Sequence, residues 1–196
     1  MRTLGIVCLV SALVATGCGS GTTVVGANGE KATISQNGQS VTATDNQGNT
    51  ATYTQNGQGA TISDSKGDKE TIDKNGQMSL KKANGDTADI GGNILESDLG
   101  LPFYPGSVER PGASATATEN GVKTVMSSRT TKDDPSKVDA FYKDKIQDAK
   151  DSTVNSGGMN MASVSGKLSD GSEVTVVATK SGSDDTSIMV TVKHSK

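Results

Sequence analysis

Between residues 22 and 90, apolar and polar positions alternate with period two, and glycine interrupts the pattern at 29, 38, 48, 57, 67, 76 and 85. Five of these glycines follow asparagine, in Asn28-Gly29, Asn37-Gly38, Asn56-Gly57, Asn75-Gly76 and Asn84-Gly85, and the other two stand in Gln47-Gly48 and Lys66-Gly67. Asn-Gly tolerates the positive φ that tight hairpin turns demand. Seven such turns predict about eight short antiparallel strands. Ala32 and Ile34, Val41 and Ala43, Ala51 and Tyr53, Ala60 and Ile62, Met78 and Leu80, and Ala88 and Ile90 then share one face; threonines and serines such as Thr33, Thr42, Thr52, Thr61 and Thr71 take the other.

The register is open to the same reasoning. A two-residue Asn37-Gly38 turn pairs Ile34 with Val41 and Ala32 with Ala43. A three-residue loop ending on Gly48 pairs Ala43 with Ala51 and Val41 with Tyr53. A two-residue Asn56-Gly57 turn would pair Tyr53 with Ala60. A slip of one residue inverts a strand, yet one face stays apolar through these hairpins, broken only by Glu70 beside Ile72. A flexible Gly/Asn/Gln/Ser-rich linker has no reason to keep such register. The expectation is a β-meander over 22–92. Its alanine-rich apolar face would close into a small barrel, fold over on itself, or rest on the next domain.

From residue 93 the pattern changes. Residues 93–100 read as a linker following Gly91-Gly92, and 101–196 as a separate α+β domain. Leu101-Pro102-Phe103-Tyr104-Pro105-Gly106 places two aromatics before a turn. Val108–Arg110 reads as a strand, and Ala113–Thr118 with Val122–Thr130 as a hairpin about Glu119-Asn120-Gly121. Asp134 is placed to N-cap a helix with Pro135 at its first position. Val138, Phe141, Tyr142, Ile146 and Ala149 continue at helical spacing to about Lys150. Three strands come after Gly157-Gly158: Met159–Leu168, Glu173–Lys180 and Thr186–Lys193. An antiparallel sheet with one helix across a face is the two-layer solution. The chain as a whole is mainly β with α+β.

Residues 1–17 have the character of a secretory signal: Arg2, an apolar run from Leu4 to Ala15, then small residues. The run is shorter than the roughly 20 residues a membrane span needs. Ala15-Thr16-Gly17-Cys18 resembles the bacterial lipobox, in which the cysteine is fatty-acylated and becomes the first residue after cleavage. That resemblance implies a bacterial lipoprotein tethered through Cys18 and residues 18–21 to the cell or outer membrane, facing the periplasm or exterior. Leu101–Gly106 and Asp134-Pro135-Ser136-Lys137-Val138-Asp139-Ala140-Phe141-Tyr142 resemble a domain of uncharacterised secreted bacterial proteins and lipoproteins, which implies no known activity.

Composition narrows the function classes. The formal charge is −3, and −4 once Arg2 is removed, which argues against a nucleic-acid partner. Cys8 lies in the signal, so cleavage leaves Cys18 as the only cysteine, with no second thiol for a disulfide. His194 is the single histidine, in a polar tail expected to fray, so no catalytic residue and no metal or cofactor site is expected. Asp133-Asp134 sits at a helix start, where negative charge is favoured, and Asp184-Asp185 in a hairpin loop. Asp45–Asn49 and Asp64–Asp68 match no calcium loop. Met126, Met159, Met161 and Met189 lie on strands as expected core filling. Phe103 and Tyr104 either plug the core or form an exposed contact. A non-enzymatic envelope protein with a structural or protein-interaction role is the leading expectation. Its alternative is a ligand- or glycan-binding module using the Thr-rich face or Phe103/Tyr104. An enzyme would need a site assembled from Asp, Ser and Lys alone.

Overall fold

The computed structural model describes residues 21–26, 29–35 and 39–195. The signal segment 1–17, Cys18 and the Asn37-Gly38 turn lie outside the described residues. The chain divides into two compact units, 1–85 and 86–196, and the fold is mainly antiparallel β.

The first unit is a meander of β1 (Thr22–Val25), β2 (Lys31–Ile34), β3 (Ser40–Thr44), β4 (Thr50–Asn56), β5 (Gly59–Asp64), β6 (Lys69–Asp73) and β7 (Met78–Lys81). Each strand pairs antiparallel with the next. Ala32 faces Ala43, Ile34 faces Val41, and Val41 faces Tyr53, as the turn chemistry requires.

The β4–β5 hairpin corrects the sequence reading: Tyr53 pairs with Ile62, not Ala60. The Asn56 side chain accepts the Gln58 N–H at 2.9 Å, which keeps Asn56 as the last residue of β4 and makes Gly57-Gln58 the turn. A shift of two residues preserves the faces. Gly59 opens β5 at φ 145°, where an added Cβ would sit 2.1 Å from the Ile72 carbonyl oxygen. Only glycine fits that position. The apolar row runs from Val41 through Tyr53, Ile62 and Glu70 to Leu80, with Glu70 where the alternation places it.

Three hairpins, two at one end of the strands and one at the other, share a device. The Asp45, Asp64 and Asp73 carboxylates each accept two loop N–H groups, at 2.8–2.9 Å. Glycine at 48, 67 or 76 closes each of these loops onto the aspartate carbonyl. These carboxylates are therefore loop braces. Alternate turns repeat: Asn37, Asn56 and Asn75 stand 19 residues apart, as do Gly29, Gly48 and Gly67.

The meander is one layer thick. Among the described residues β1 has no strand partner besides β2, so no barrel closes. Its buried hydrophobic residues are Ala32 and Ala43, while Ile62, Ile72 and Met78 remain exposed. Backbone ladders and paired side chains carry it instead. Threonine hydroxyls meet across strands at Thr23–Thr33 (3.0 Å), Thr42–Thr52 (3.1 Å) and Thr61–Thr71 (3.5 Å).

The second unit comprises β8 (Thr87–Ile90), α1 (Glu96–Leu99), β9 (Val108–Glu109), β10 (Ala115–Glu119), β11 (Val122–Thr131), α2 (Pro135–Lys143), β12 (Gln147–Ser156), β13 (Met159–Lys167), β14 (Glu173–Ser181) and β15 (Thr186–Lys193). Its strands run in the order β8-β10-β11-β15-β14-β13-β12, with β9 on β11. Asn120, at φ 51°, turns the β10–β11 hairpin. Valines 125, 164, 174, 176, 190 and 192 and Ile188 line the covered face against Val138 and Tyr142 of α2, in one cluster with Ile94, Leu99, Leu101 and Leu168.

Four expectations are corrected in this unit. The helix stops at Lys143 and Asp144 caps it, so it does not reach Lys150. Ile146 still enters the core, but just beyond the helix. Strand β12 then begins before Gly157-Gly158, giving four strands after the helix where three were expected. Asp148, at φ 52°, makes a bulge opposite Gly166, where a Cβ would lie 2.3 Å from the Gln147 carbonyl oxygen. Residues 93–100 are not a linker: they hold α1, and Ile94 and Leu99 are buried in the core. The four methionines are not core filling either. Strand alternation and register put 126, 159, 161 and 189 on the sheet face opposite the buried valines.

Candidate functional site

Two side-chain clusters in the second unit combine titratable and aromatic groups. The first surrounds Phe103 and Tyr104. Tyr104 is buried and packs edge-on against Phe141, with ring centroids 5.3 Å apart; Phe141 in turn meets Tyr142 at 5.0 Å. The Tyr104 hydroxyl donates to Asp133 Oδ2 at 2.8 Å, and Lys137 Nζ donates to Asp133 Oδ1 at 2.9 Å. The lysine and then the tyrosine hold the Asp133 carboxyl below the usual carboxylate range. Burial, reinforced by Asp133, pushes the Tyr104 phenol up to about 12.

Phe103 is half-buried beneath Arg129, whose guanidinium carbon lies 4.0 Å from the ring centroid. Arg129 is itself fixed by Nε–H to Ser107 Oγ and NH2 to the Ser107 carbonyl, both 2.8 Å. The Phe103 N–H donates to Glu96 Oε1 at 2.6 Å. Phe103 and Tyr104 therefore close the end of the core, and neither ring stands free as an exposed contact. The adjoining Asp134 precedes α2 as its N-cap residue without a side-chain cap bond; its carboxylate accepts from Lys180 Nζ at 3.1 Å. Asp185 of the hairpin loop pairs with Lys132.

The second cluster escapes sequence reasoning. His194 does not fray. Its backbone N–H donates to the Lys123 carbonyl at 2.9 Å, Nε2 lies 3.0 Å from the Asp98 carbonyl oxygen, and Nδ1 lies 3.3 Å from Ser172 Oγ. A carbonyl oxygen only accepts, so Nε2 carries a proton, and in the neutral ring Nδ1 then receives the Ser172 hydroxyl. This is the hydrogen-bond pattern of a nucleophile beside a base. Ser172, however, is 1 % exposed, and both ring nitrogens are engaged. The contact ties the C-terminal strand to α1 and to the β13–β14 loop. No short motif marks it, because its partners lie 22 and 96 residues from His194.

Asp98 is held below its ordinary range, first by accepting the Leu95 N–H and next by Lys123. Asp139, on α2, is shifted the opposite way: burial raises it, Asp151 adds to the rise, and Oδ1 has no hydrogen-bond partner. Among the described residues no group of three or more His, Cys, Asp or Glu is arranged to hold a metal.

No family model matches the chain, and no curated protein matches it. Among solved structures, it is similar to the G-box domain of the microcephaly protein CPAP, at 13 % identity and TM-score 0.28, covering 82 % of this chain and 98 % of that one. The wild-type TCP10 domain of Danio rerio CPAP gives 15 % identity and TM-score 0.29, again over 82 % of this chain and 94 % of that one. The same domain in complex with a peptide of Danio rerio STIL gives 14 % and 0.28, over 82 % and 88 %. Superpositions this loose assign no role.

Proposed function

We propose that the chain is a non-enzymatic lipoprotein of the bacterial envelope, held at a membrane through acylated Cys18, with its sheets serving structural or protein-interaction roles. The observation that carries this is the order of Arg2, the apolar run Leu4–Ala15 and Ala15-Thr16-Gly17-Cys18. Each buried methylene of an acyl chain contributes about 0.8 kcal/mol, and two or more chains give stable attachment. Three residues separate Cys18 from β1. At about 3.5 Å per residue, that tether keeps the first hairpin within roughly 14 Å of the anchored sulfur. The absence of an enzymatic role is supported by the enclosure of Ser172 and the double engagement of His194.

Replacing Cys18 by Ser tests this. The protein should move from the membrane fraction to the soluble fraction, and the wild type should carry the mass of acyl chains on the new amino terminus. Membrane retention by the variant, or an unmodified sulfur in the wild type, overturns the proposal.

A glycan-binding role is the second reading. The paired hydroxyls of Thr23–Thr33, Thr42–Thr52 and Thr61–Thr71 favour it. Co-sedimentation with insoluble cell-wall glycan, lost when Thr42 and Thr52 become Val, would support it; no co-sedimentation by the wild type would end it.

A further inference from the structure

The sheet of the second unit has two faces, and only one is covered by helix. Cross-strand register sets the other: Met161 is diagonal to Val177, Val177 is opposite Met189, Met189 is diagonal to Met126, and Val154 is opposite Met161. Met159 stands two residues before Met161 on the same strand. Val154, Met159 and Met189 are each more than 40 % exposed. Between these apolar side chains stand serines and threonines, and charge gathers at one end, where Lys167, Glu173 and Lys193 lie side by side. Methionine enrichment with charge depletion is the composition of a protein–protein interface core. A lipid-facing surface would instead carry an aromatic and basic rim.

The dimensions narrow the occupant. Five long strands spaced about 4.8 Å apart, each about eight residues at 3.3 Å, outline roughly 600 Å² before side-chain relief is added. A standard interface takes about 800 Å² from each partner. A sheet face of this kind packs on its like at about 10 Å, one patch serves both sides of a two-fold contact, and methionine fills an imperfect fit. We propose that this face joins two copies of the chain, sheet on sheet about a two-fold axis. The proposal does not depend on the lipid anchor.

Met78 of the meander and Met189 of this face are both 42 % exposed in the single chain. Their oxidation rates therefore report directly on coverage. Sedimentation equilibrium of the processed chain carrying Cys18→Ser should give two copies at 100 µM, on the order of the concentrations where weak dimers form. Under peroxide, Met189 should convert to sulfoxide at least about five-fold more slowly than Met78. Val177→Asp should raise the dissociation constant about 100-fold or more and return the two rates to parity, with an unchanged circular dichroism spectrum. Thr179→Lys, on the same face, does the same should the aspartate variant fail to fold. A monomer at that concentration, a dimer untouched by both variants, or equal oxidation in the wild type overturns the proposal.

Discussion

The Asn56-Gly57 pair attracts attention in the sequence, but the conformational demand lies two residues on. A Cβ on Gly57 meets nothing within 4 Å, and its φ lies outside the left-handed region. A Cβ on Gly59 meets the Ile72 carbonyl oxygen at 2.1 Å, with φ at 145°. Contact requires at least about 3 Å, so Gly59→Ala must push β6 away from β5 by about 0.9 Å or more, or rotate the backbone. The conformational strain is about 1–3 kcal/mol, and each lost ladder bond adds about 1 kcal/mol. A total near 3 kcal/mol results, or about a hundred-fold fall in protection at roughly 1.4 kcal/mol per decade. Gly57→Ala should act with the opposite sign, stabilising by about 0.5 kcal/mol because it restricts the unfolded chain. Amide hydrogen exchange of residues 60–73, read by mass spectrometry, separates the two. Equal effects, or a larger loss at Gly57, would refute both the displaced turn and the close approach of the strands.

Leu99→Ala should destabilise the second unit by about 2–5 kcal/mol, since the side chain is 1 % exposed and its removal leaves a cavity. A shift in melting temperature below about 2 °C, equivalent to under about 0.5 kcal/mol, would return 93–100 to a linker role. Asp139 offers a test in pH. Its folded pKa is raised, mainly by burial, so the native state holds the proton more tightly than the unfolded chain; that stability is full below the ordinary aspartate range and is lost as pH rises from there through the raised value. Asp139→Asn should therefore melt higher than the wild type at pH 7, by about 4 °C for about 1 kcal/mol. The gain should vanish below the ordinary aspartate range, near pH 3, where both forms are neutral. A gain independent of pH, or a loss at pH 7, contradicts the assignment.

Much of the meander is legible because its information is local. Asn-Gly turns and period-two alternation set the pairing of β2, β3 and β4 without reference to distant residues. The two-residue shift at Tyr53 falls where the Asn56 side chain selects between two turns that keep the same faces. The second unit is harder for reasons that are equally physical. Strand β12 is an edge strand, and only Ala149 among its ten residues is even partly buried, so no alternation announces it. Ile146 and Ala149 continue the helical spacing while belonging to the chain beyond the helix. Helix α1 is four residues long, too short for periodicity, and is held by packing of Leu99. The His194 contacts join residues far apart in the chain, and no local pattern encodes such closure. Register likewise decides whether a strand methionine faces the core, and it places all four on the open side.

Among the described residues each meander strand pairs only with the strands next to it in sequence, and every second turn recurs at 19 residues. Such a ribbon behaves as a linear array, with stability that grows by increments and fraying that starts from an end. In-frame duplication or loss of one 19-residue block would lengthen or shorten it by two strands, about 9.6 Å, without disturbing a three-dimensional core. Reach can therefore change in discrete steps through gain or loss of whole blocks, a route closed to folds whose layers must interlock.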